Sequence, residues 1–339
     1  MSTPAAVATD ETPVSIDGVR AAAARLKGIA RRTPLLEDDD LNARVGGRVL
    51  LKAEVLQHGG SFKLRGAYNL LASLDPAVRA RGVVAWSSGN HAQGIAIAAR
   101  RFGVPATIVM PNDAPAAKRD AVLALGAEIV PYDRFRDDRE AIARTLAARD
   151  GRAIAPSYDH PRVIEGQGTL TLEVQEDAPP LDLFVVCCGG GGLAAGGATV
   201  LEDAAPDARV VVAEPEGYDM TGAALRYGPP QYADISVPTL CDAIATPTQG
   251  ALTFPILKRV GAHGVSVRET EVLRAMAWAY ARLRLVVEPG GAVALAALLF
   301  GKVDAAGKTV AATLSGGNVD PAVFQRALEA GPPAARRAM

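Results

Sequence analysis

Short apolar runs alternate along the chain with longer amphipathic segments, and this alternation is its main structural signal. Apolar runs of about 4–8 residues bounded by turns predict buried strands, and apolar positions three or four apart predict helices. The predicted strands are 47–52, 83–86, 106–110, 128–130, 183–186, 210–215 and 309–314. The predicted helices are one capped by Ser15 or Asp17 and then 67–72, 92–102, 114–125, 138–149, 163–174, 270–283 and 292–299, before a short terminal helix. Strands that alternate with helices in this way predict an α/β fold with doubly wound parallel sheets.

The order of these elements predicts two domains. Residues 14–72 together with 164–329 form the predicted large domain, 73–163 form the small domain, and 1–13 form a frayed tail. Residues 227–250 contain several prolines and glycines and are the longest irregular stretch, a candidate for a mobile covering loop. Because crossovers between parallel strands are right-handed, the loops that follow the strands should line one crevice.

The first candidate for chemistry is Lys63, in the run Ser61–Ala67 behind the flexible pair Gly59-Gly60. Phe62 and the start of a helix are expected to shield the amine from water and so favour its neutral, nucleophilic form. A lysine after a loop, taken alone, is more often a solvated side chain. The prediction therefore depends on the loops that could meet this residue.

The second candidate is the run of four glycines after the strand 183–186. Without Cβ atoms, consecutive backbone N–H groups can converge on a phosphate, helped by the N-terminus of the next helix. Gly189-x-Gly191-x-x-Ala194, with Glu214 about 20 residues further on, also satisfies the dinucleotide fingerprint. An NAD-dependent dehydrogenase is therefore the main rival interpretation, although it leaves Lys63 unexplained.

Two further polar loops follow predicted strands. The hydroxyls, amide and early helical N–H groups of Ser87–His91 suit a carboxylate, although an N-cap with a structural His91 is equally compatible with the sequence. Ser315–Asn318 places a neutral hydroxyl where a ring nitrogen could lie, or forms a plain turn. Glu288 precedes a predicted helix, where it either lines the site or only interacts with the positive N-terminal end of the helix dipole.

Composition narrows the function classes. With 36 basic and 37 acidic residues the formal charge is −1, which gives no electrostatic case for nucleic acid or an anionic membrane. Cys187, Cys188 and Cys241 have no metal-site or disulfide spacing, and the first two are expected to be small core residues. Neither a signal peptide nor a membrane-length apolar span is evident, so the cytoplasm is the expected compartment.

Together these runs resemble the fold type II pyridoxal-phosphate enzymes, and within them the serine/threonine dehydratase and serine racemase group. The similarity extends in order from Arg32 to about Asp320. The matching runs are Thr33–Leu35, Gly60–Ala67, Ser87–His91, Gly166–Thr169, Gly189–Gly192, Ala213–Pro215, Glu288-Pro289 and Ser315–Asn318.

The resemblance implies pyridoxal 5'-phosphate as the cofactor and a role for each matching position. Lys63 would form the Schiff base, Phe62 would pack beside the ring, and Asn90 would bond the ring hydroxyl. Ser315 would face the pyridine nitrogen. The phosphate would be held by Gly189, Gly190, Gly191 and Gly192.

The resemblance also implies how a substrate would be held. Ser87, Asn90 and His91 would cradle its carboxylate, and Ser88 would lie on the face opposite Lys63. Lys63 would remove the α-proton, and reprotonation by Ser88 would give racemisation. A small-molecule amino acid is thus the expected ligand, and a homo-oligomer is expected.

The sequence departs from the group in three places. Relatives that bind a divalent cation use a glutamate and an aspartate six residues later; here these positions are Glu214 and Met220. A thioether is a poor ligand for a hard cation, so no metal is predicted, with Asp219 as a substitute ligand left open. Ala243 replaces a common glycine, which should narrow the pocket. The chain ends soon after the catalytic region, so no C-terminal regulatory domain is expected.

The resulting functional hypothesis is dehydration and deamination of a β-hydroxy amino acid, with L-threonine and L-serine as leading substrates. Serine racemase and 3-hydroxyaspartate dehydratase are alternatives on the same scaffold. The dehydrogenase and a non-catalytic amino-acid sensor remain open from the residues alone.

Overall fold

The computed structural model of the protein describes residues 12–114 and 116–334, so most of the predicted tail over 1–13 lies outside the described residues. The strands are β1 Leu35–Glu37, β2 Arg48–Ala53, β3 Val83–Trp86, β4 Ala106–Pro111, β5 Glu128–Tyr132, β6 Ala153–Ile154, β7 Leu183–Cys187, β8 Arg209–Pro215, β9 His263–Val267 and β10 Thr309–Leu314. The helices are α1 Ile16–Leu26, α2 Asp39–Val45, α3 Lys63–Ser73, α4 Pro76–Arg81, α5 Asn90–Phe102, α6 Ala116–Ala124, α7 Arg139–Asp150, α8 Pro161–Asp177, α9 Gly192–Ala204, α10 Met220–Tyr227, α11 Thr253–Arg259, α12 Glu269–Leu283, α13 Pro289–Leu299 and α14 Pro321–Ala330.

Two parallel sheets organise the described residues. The six-stranded sheet has the order β1-β2-β10-β7-β8-β9, in which only β1 pairs antiparallel, and the four-stranded sheet has the order β5-β4-β3-β6. The predicted α/β class with parallel sheets is confirmed. The predicted division into domains at 73–163 stays a prediction.

The strands that sequence reasoning missed are β1, β6 and β9, and each lies at the edge of its sheet. Edge strands are covered on fewer sides than central strands, so they lack the continuous apolar run that marks a buried parallel strand. The helices α2, α4, α10 and α11 were missed because each is shorter than the segments over which helical periodicity is readable. The irregular stretch predicted over 227–250 contains one 3₁₀ turn, Asp242–Ile244, and its mobility stays a prediction.

Local signals explain the elements that hold the site. Every residue of α13 is buried, as expected for a helix that is apolar all round and packs beneath the large sheet. The apolar face of α3 packs into the core of the small sheet, beside α5. Gly94 allows this approach, because a Cβ there would lie 3.1 Å from the carbonyl carbon of Lys63.

No helix within 12–114 and 116–334 has the length and apolarity to cross a bilayer.

Candidate active site

One cavity of about 440 Å³ collects every site residue that the sequence predicted. It opens at the carboxyl ends of β3, β7 and β10, where parallel strands direct their loops to one side. Its lining includes Phe62, Lys63, Ser87, Ser88, Asn90, His91, Gly189, Gly190, Gly191, Gly192 and Ser315. The three loops identified separately in the sequence are thus brought together in space.

Lys63 is the first residue of α3 and its amine lies inside this cavity. The Nζ atom donates a hydrogen bond to the Ser157 carbonyl at 2.9 Å and lies 5.1 Å from the centre of the Phe62 ring. Removal from water lowers the pKa of Lys63 to about 8, although Cys187 and Glu288 oppose this shift. At pH 7 about a tenth of the amine is therefore uncharged and able to act as a base or nucleophile, and this fraction grows as the pH rises.

A buried ionic network fixes the start of α3, and sequence reasoning missed it. Arg65 donates to both Glu54 oxygens, at 2.9 and 2.8 Å, and to Glu173 at 2.7 Å. Lys52 pairs with the same Glu173 at 2.6 Å. Burial alone would raise the pKa of Glu54, but the adjacent Arg65 outweighs burial and holds that pKa below its ordinary value. The network anchors the turn from which Lys63 projects.

The loop after β3 leads into α5 and presents polar groups to the cavity. Asn90 donates from Nδ2 to Glu288 at 2.5 Å and accepts at Oδ1 from Asn318 at 2.7 Å, which fixes the orientation of its amide. Burial raises the pKa of Glu288 to about 7, while the Asn90 contact opposes that rise. One Asn90 N–H remains for a ligand, since an amide nitrogen carries two donors. Ser88 lines the cavity, and the Ser87 hydroxyl accepts from the Gly89 N–H at 3.2 Å.

His91 is a neutral side chain in this structure. Burial and the nearby Lys63 lower its pKa to about 3, and its Nε2 lies 2.8 Å from the Ala155 carbonyl. A neutral ring facing a carbonyl carries its proton on that nitrogen, so Nδ1 is an acceptor. Its imidazole therefore offers no positive charge to a carboxylate, although its backbone N–H lies in the first turn of α5.

The run Gly189–Gly192 curves into the N-terminus of α9. Gly191 has φ 91°, a conformation that glycine adopts without strain, and a Cβ on Gly190 would overlap the Tyr158 ring. Thr253 braces the loop by donating to the Gly190 carbonyl at 2.6 Å. Within the described residues, none of the backbone N–H groups of this run donates to another protein group. Free donors at a helix N-terminus are the arrangement that typically binds an anion.

Ser315 connects the end of β10 to the Lys63 loop. Its carbonyl accepts from the Phe62 N–H at 3.1 Å, and its hydroxyl accepts from the Cys187 thiol at 3.1 Å. Cys187 was expected to be a core residue; it is buried, but it also lines the cavity. Its neighbour Cys188 contacts Thr221 instead. No sequence signal separates the two adjacent cysteines, because which of them contacts Ser315 depends on how β7 and β10 pair in the sheet.

Charged residues at the mouth of the cavity were also missed. Lys118 of α6 pairs with Asp242 at 2.6 Å, and Arg144 pairs with Glu140 at 2.8 Å. Arg139 begins α7, and its guanidinium makes no hydrogen bond or ion pair within the described part of the chain. The helix over 138–149 was predicted, but its weak amphipathic pattern did not indicate which face the cavity would take.

At the position where cation-binding relatives are expected to hold a metal, Glu214 accepts from the backbone N–H groups of Thr221 at 3.0 Å and Gly222 at 2.8 Å. Burial raises the pKa of Glu214 to about 8, against these hydrogen bonds. Met220 is buried beside it. Residues 12–114 and 116–334 contain no cluster of three or more potential metal ligands of the His, Cys, Asp and Glu types. The absence of a metal stays a prediction.

Comparisons with known proteins agree with this geometry. The sequence model of the family described as "Pyridoxal-phosphate dependent enzyme" matches residues 26–316. The chain is 44% identical over 299 residues to an L-threo-3-hydroxyaspartate ammonia-lyase of a Pseudomonas species, covering 88% of this chain and 93% of that one. It is 39% identical to an L-threonine ammonia-lyase of Thermotoga maritima, covering 94% and 79%. Among solved structures, maize serine racemase superposes with a TM-score of 0.88 at 33% identity, covering 94% and 98%.

Proposed function

The chain belongs to the family of pyridoxal-phosphate dependent enzymes, and from this premise we propose that it releases ammonia and a 2-keto acid from a β-hydroxy amino acid. The family resemblance and the pyridoxal-phosphate cofactor that it implied are confirmed. Nothing in the matches supports the NAD-dependent dehydrogenase. L-Threonine and L-serine are the leading substrates. The observation that carries the proposal is the buried Lys63 side chain, which lines the same cavity as the glycine run and Ser315.

The residues present fit the cofactor. The free N–H donors of Gly189–Gly192 would hold its phosphate, Asn90 would donate to the ring hydroxyl, and Ser315 would meet the ring nitrogen. A cavity of about 440 Å³ falls within the usual range of small-molecule sites. When bound, the cofactor supplies an aldehyde that joins an amine and a ring that withdraws electrons from the α-carbon.

The proposed work of the chain's own residues follows from these positions. Lys63 Nζ accepts the proton of the substrate α-carbon, which its lowered pKa permits. The N–H groups at the start of α5 hold the substrate carboxylate, since a helix N-terminus favours an anion. His91 stays neutral, while Ser88 lines the cavity as a second candidate for proton exchange.

A second candidate substrate is 3-hydroxyaspartate, and Arg139 favours it. This guanidinium faces the cavity without an ion-pair partner in the described chain, and Thr246 presents a buried hydroxyl that lacks a hydrogen-bond partner there. Both groups suit a second carboxylate on the substrate. Arg139→Gln should lower kcat/KM for L-threo-3-hydroxyaspartate by roughly tenfold or more, because hydrogen bonds to charged groups contribute about 1.5–3 kcal/mol. It should leave L-threonine within about twofold.

The proposed function is tested on the purified holoenzyme. We expect a visible absorption band that borohydride erases with modification of Lys63, and release of 2-keto acid and ammonia from at least one of L-threonine, L-serine and L-threo-3-hydroxyaspartate. Lys63→Ala is the control and should lose both the reducible band and the activity. A colourless protein, or a coloured protein that releases no keto acid from any of the three, contradicts the proposal.

A homo-oligomer and a cytoplasmic location complete the proposal. Exposed apolar side chains at Tyr227, Tyr232, Ile235 and Val237 lie close together in sequence and favour burial against a second copy. The described cysteines are free, which suits a reducing compartment. Sedimentation equilibrium and cell fractionation test these two points.

A further inference from the structure

The thiol of Cys187 lies at the end of β7, next to the end of the neighbouring parallel strand β10. Its Sγ lies 3.1 Å from the Ser315 hydroxyl and forms a hydrogen bond to it. Both side chains line the cavity, and both are nearly inaccessible to solvent. The contact therefore lies beneath the position assigned to the cofactor ring.

The hydrogen bond runs from the Cys187 thiol to the Ser315 oxygen, and the protonation of the sulfur is compatible with this direction. Burial raises the pKa of the Cys187 thiol above its ordinary value, against the effect of the Ser315 contact, so the sulfur keeps its proton and can donate. The charged groups that act on it are Lys63 and Glu288. A hydroxyl has one proton and two lone pairs. Once Ser315 Oγ accepts from the thiol, its own proton is free for a different acceptor.

Both backbone polar groups of Ser315 form hydrogen bonds. Its N–H donates to the Gly291 carbonyl at 3.4 Å, and its carbonyl accepts from the Phe62 N–H at 3.1 Å. The position of the residue is thus fixed from both sides, and the rotation of its hydroxyl is the remaining freedom. The Cys187 thiol removes that freedom, because it donates to one lone pair of Ser315 Oγ from a fixed position.

We propose that Cys187 is a positioning residue, which holds the Ser315 hydroxyl with its proton directed into the cavity at the ring nitrogen of the cofactor. This inference rests on the proposed function, because it takes Ser315 as the group that meets this nitrogen. Cys187 exerts its proposed role through Ser315 and not on the substrate. It acts by keeping Ser315 a donor, and a chain of S–H···O–H···N bonds is cooperative.

The adjacent Cys188 provides a matched control. It is equally buried, but its sulfur contacts Thr221 and the Gly189 carbonyl rather than Ser315. If Cys187 only fills space, removing either thiol should have a similar effect. If Cys187 orients Ser315, only its own replacement should change the cofactor site.

The test compares Cys187→Ala, Cys187→Ser and Cys188→Ala as purified proteins, through the dissociation constant of pyridoxal phosphate, the absorption maximum of the bound cofactor and steady-state kinetics. In Cys187→Ala we expect the dissociation constant to rise and kcat to fall, each roughly threefold to tenfold, the range for the loss of one neutral hydrogen bond. KM should stay within about twofold, and the absorption maximum should shift. Cys187→Ser restores a donor and should return all these values towards wild type, while Cys188→Ala should match wild type.

Two results would overturn the inference. One is a Cys187→Ala enzyme with the wild-type dissociation constant and absorption maximum; the other is a Cys187→Ser enzyme as impaired as Cys187→Ala. If Cys187→Ala does not fold, Cys187→Val fills the space without a donor and takes its place. A wild-type protein that binds no cofactor or forms no keto acid overturns the proposed function and this inference together. An active wild type whose variants do not differ overturns this inference alone.

Discussion

The chemistry proposed for Lys63 depends on the surroundings of a single nitrogen. The amine is removed from water, and the opposing effect of the nearby Cys187 and Glu288 side chains does not restore the ordinary pKa. The sequence predicted a neutral amine from Phe62 and the helix start. It could not predict the hydrogen bond to the Ser157 carbonyl, because that residue lies 94 positions away along the chain.

The lowered pKa of Lys63 gives a prediction for the apoprotein. Only the neutral amine reacts with an acylating reagent, and its fraction increases as pH rises through the pKa. Labelling of Lys63, followed by mass spectrometry, should therefore reach half its maximal rate near pH 8 rather than near the ordinary value of 10.5. Lys63→Gln identifies the labelled peptide by removing it. A half-point near the ordinary value would show that the cavity does not desolvate this amine.

In the proposed function, Ser315 meets the ring nitrogen and so sets how strongly the bound cofactor would withdraw electrons. A neutral hydroxyl cannot hold a charge on the pyridine nitrogen, whereas the carboxylate of Ser315→Asp could. We expect this variant to lower the ratio of elimination to transamination by about tenfold or more, since an adjacent carboxylate shifts a pKa by one unit or more. The ratio is measured from keto acid release and loss of the cofactor band. Ser315→Asn, similar in size but neutral, is the control, and an unchanged ratio in the aspartate variant contradicts this account.

At the scale of elements, the position of α3 depends on ionic contacts that lie far apart in the sequence. Arg65 follows Lys63 by two residues and is 1% exposed, while its partner Glu54 is fully buried. Glu173 and Lys52 complete the network. A buried charge is tolerated only when it is paired and hydrogen-bonded. The network therefore ties the helix start to β2 and α8.

Breaking this network should be costly. Arg65→Met leaves Glu54 buried without its cation, and we expect the free energy of unfolding in urea to fall by roughly 3–5 kcal/mol. The double variant Arg65→Met with Glu54→Leu removes both charges and should recover part of that loss. A single variant that unfolds within about 1 kcal/mol of wild type, or a double variant less stable than the single one, would argue against the network as the anchor of α3.

Individual strands could be predicted from the sequence, whereas their order in the sheet could not. Strands such as 183–186 and 309–314 could be predicted because buried parallel strands form continuous apolar runs. The loops that follow them could then be placed at the same edge of a sheet. The adjacency of β7 and β10 was not readable, since strand order depends on packing across the sheet. The contact between Cys187 and Ser315 depends on that adjacency. The roles of the site residues stay predictions until their variants are measured.

At the scale of the whole molecule, the cavity lies between parts of the chain that belong to different sheets. Lys118 follows β4 of the small sheet, and Asp242 lies between β8 and β9 of the large sheet. Their 2.6 Å ion pair therefore joins the two parts across the mouth of the cavity. Lys118 is 16% exposed and Asp242 54% exposed, so the pair is partly screened by water. Its effect should be modest, within the range of exposed pairs.

The ion pair between Lys118 and Asp242 could act as a latch that holds the mouth of the cavity closed, or Lys118 could act alone by attracting the substrate. If the pair holds the mouth closed, Lys118→Gln and Asp242→Asn should each raise the substrate KM by roughly two- to fivefold, and the double variant should be no worse than either. If Lys118 instead attracts an anionic substrate, the two single variants should change KM in opposite directions, because Asp242→Asn frees the lysine charge. Arg134→Gln breaks the pair with Asp113, which lies away from the cavity, and is the matched control. If the two variants change KM in opposite directions, Lys118 acts by attracting the substrate, and the ion pair does not hold the mouth closed.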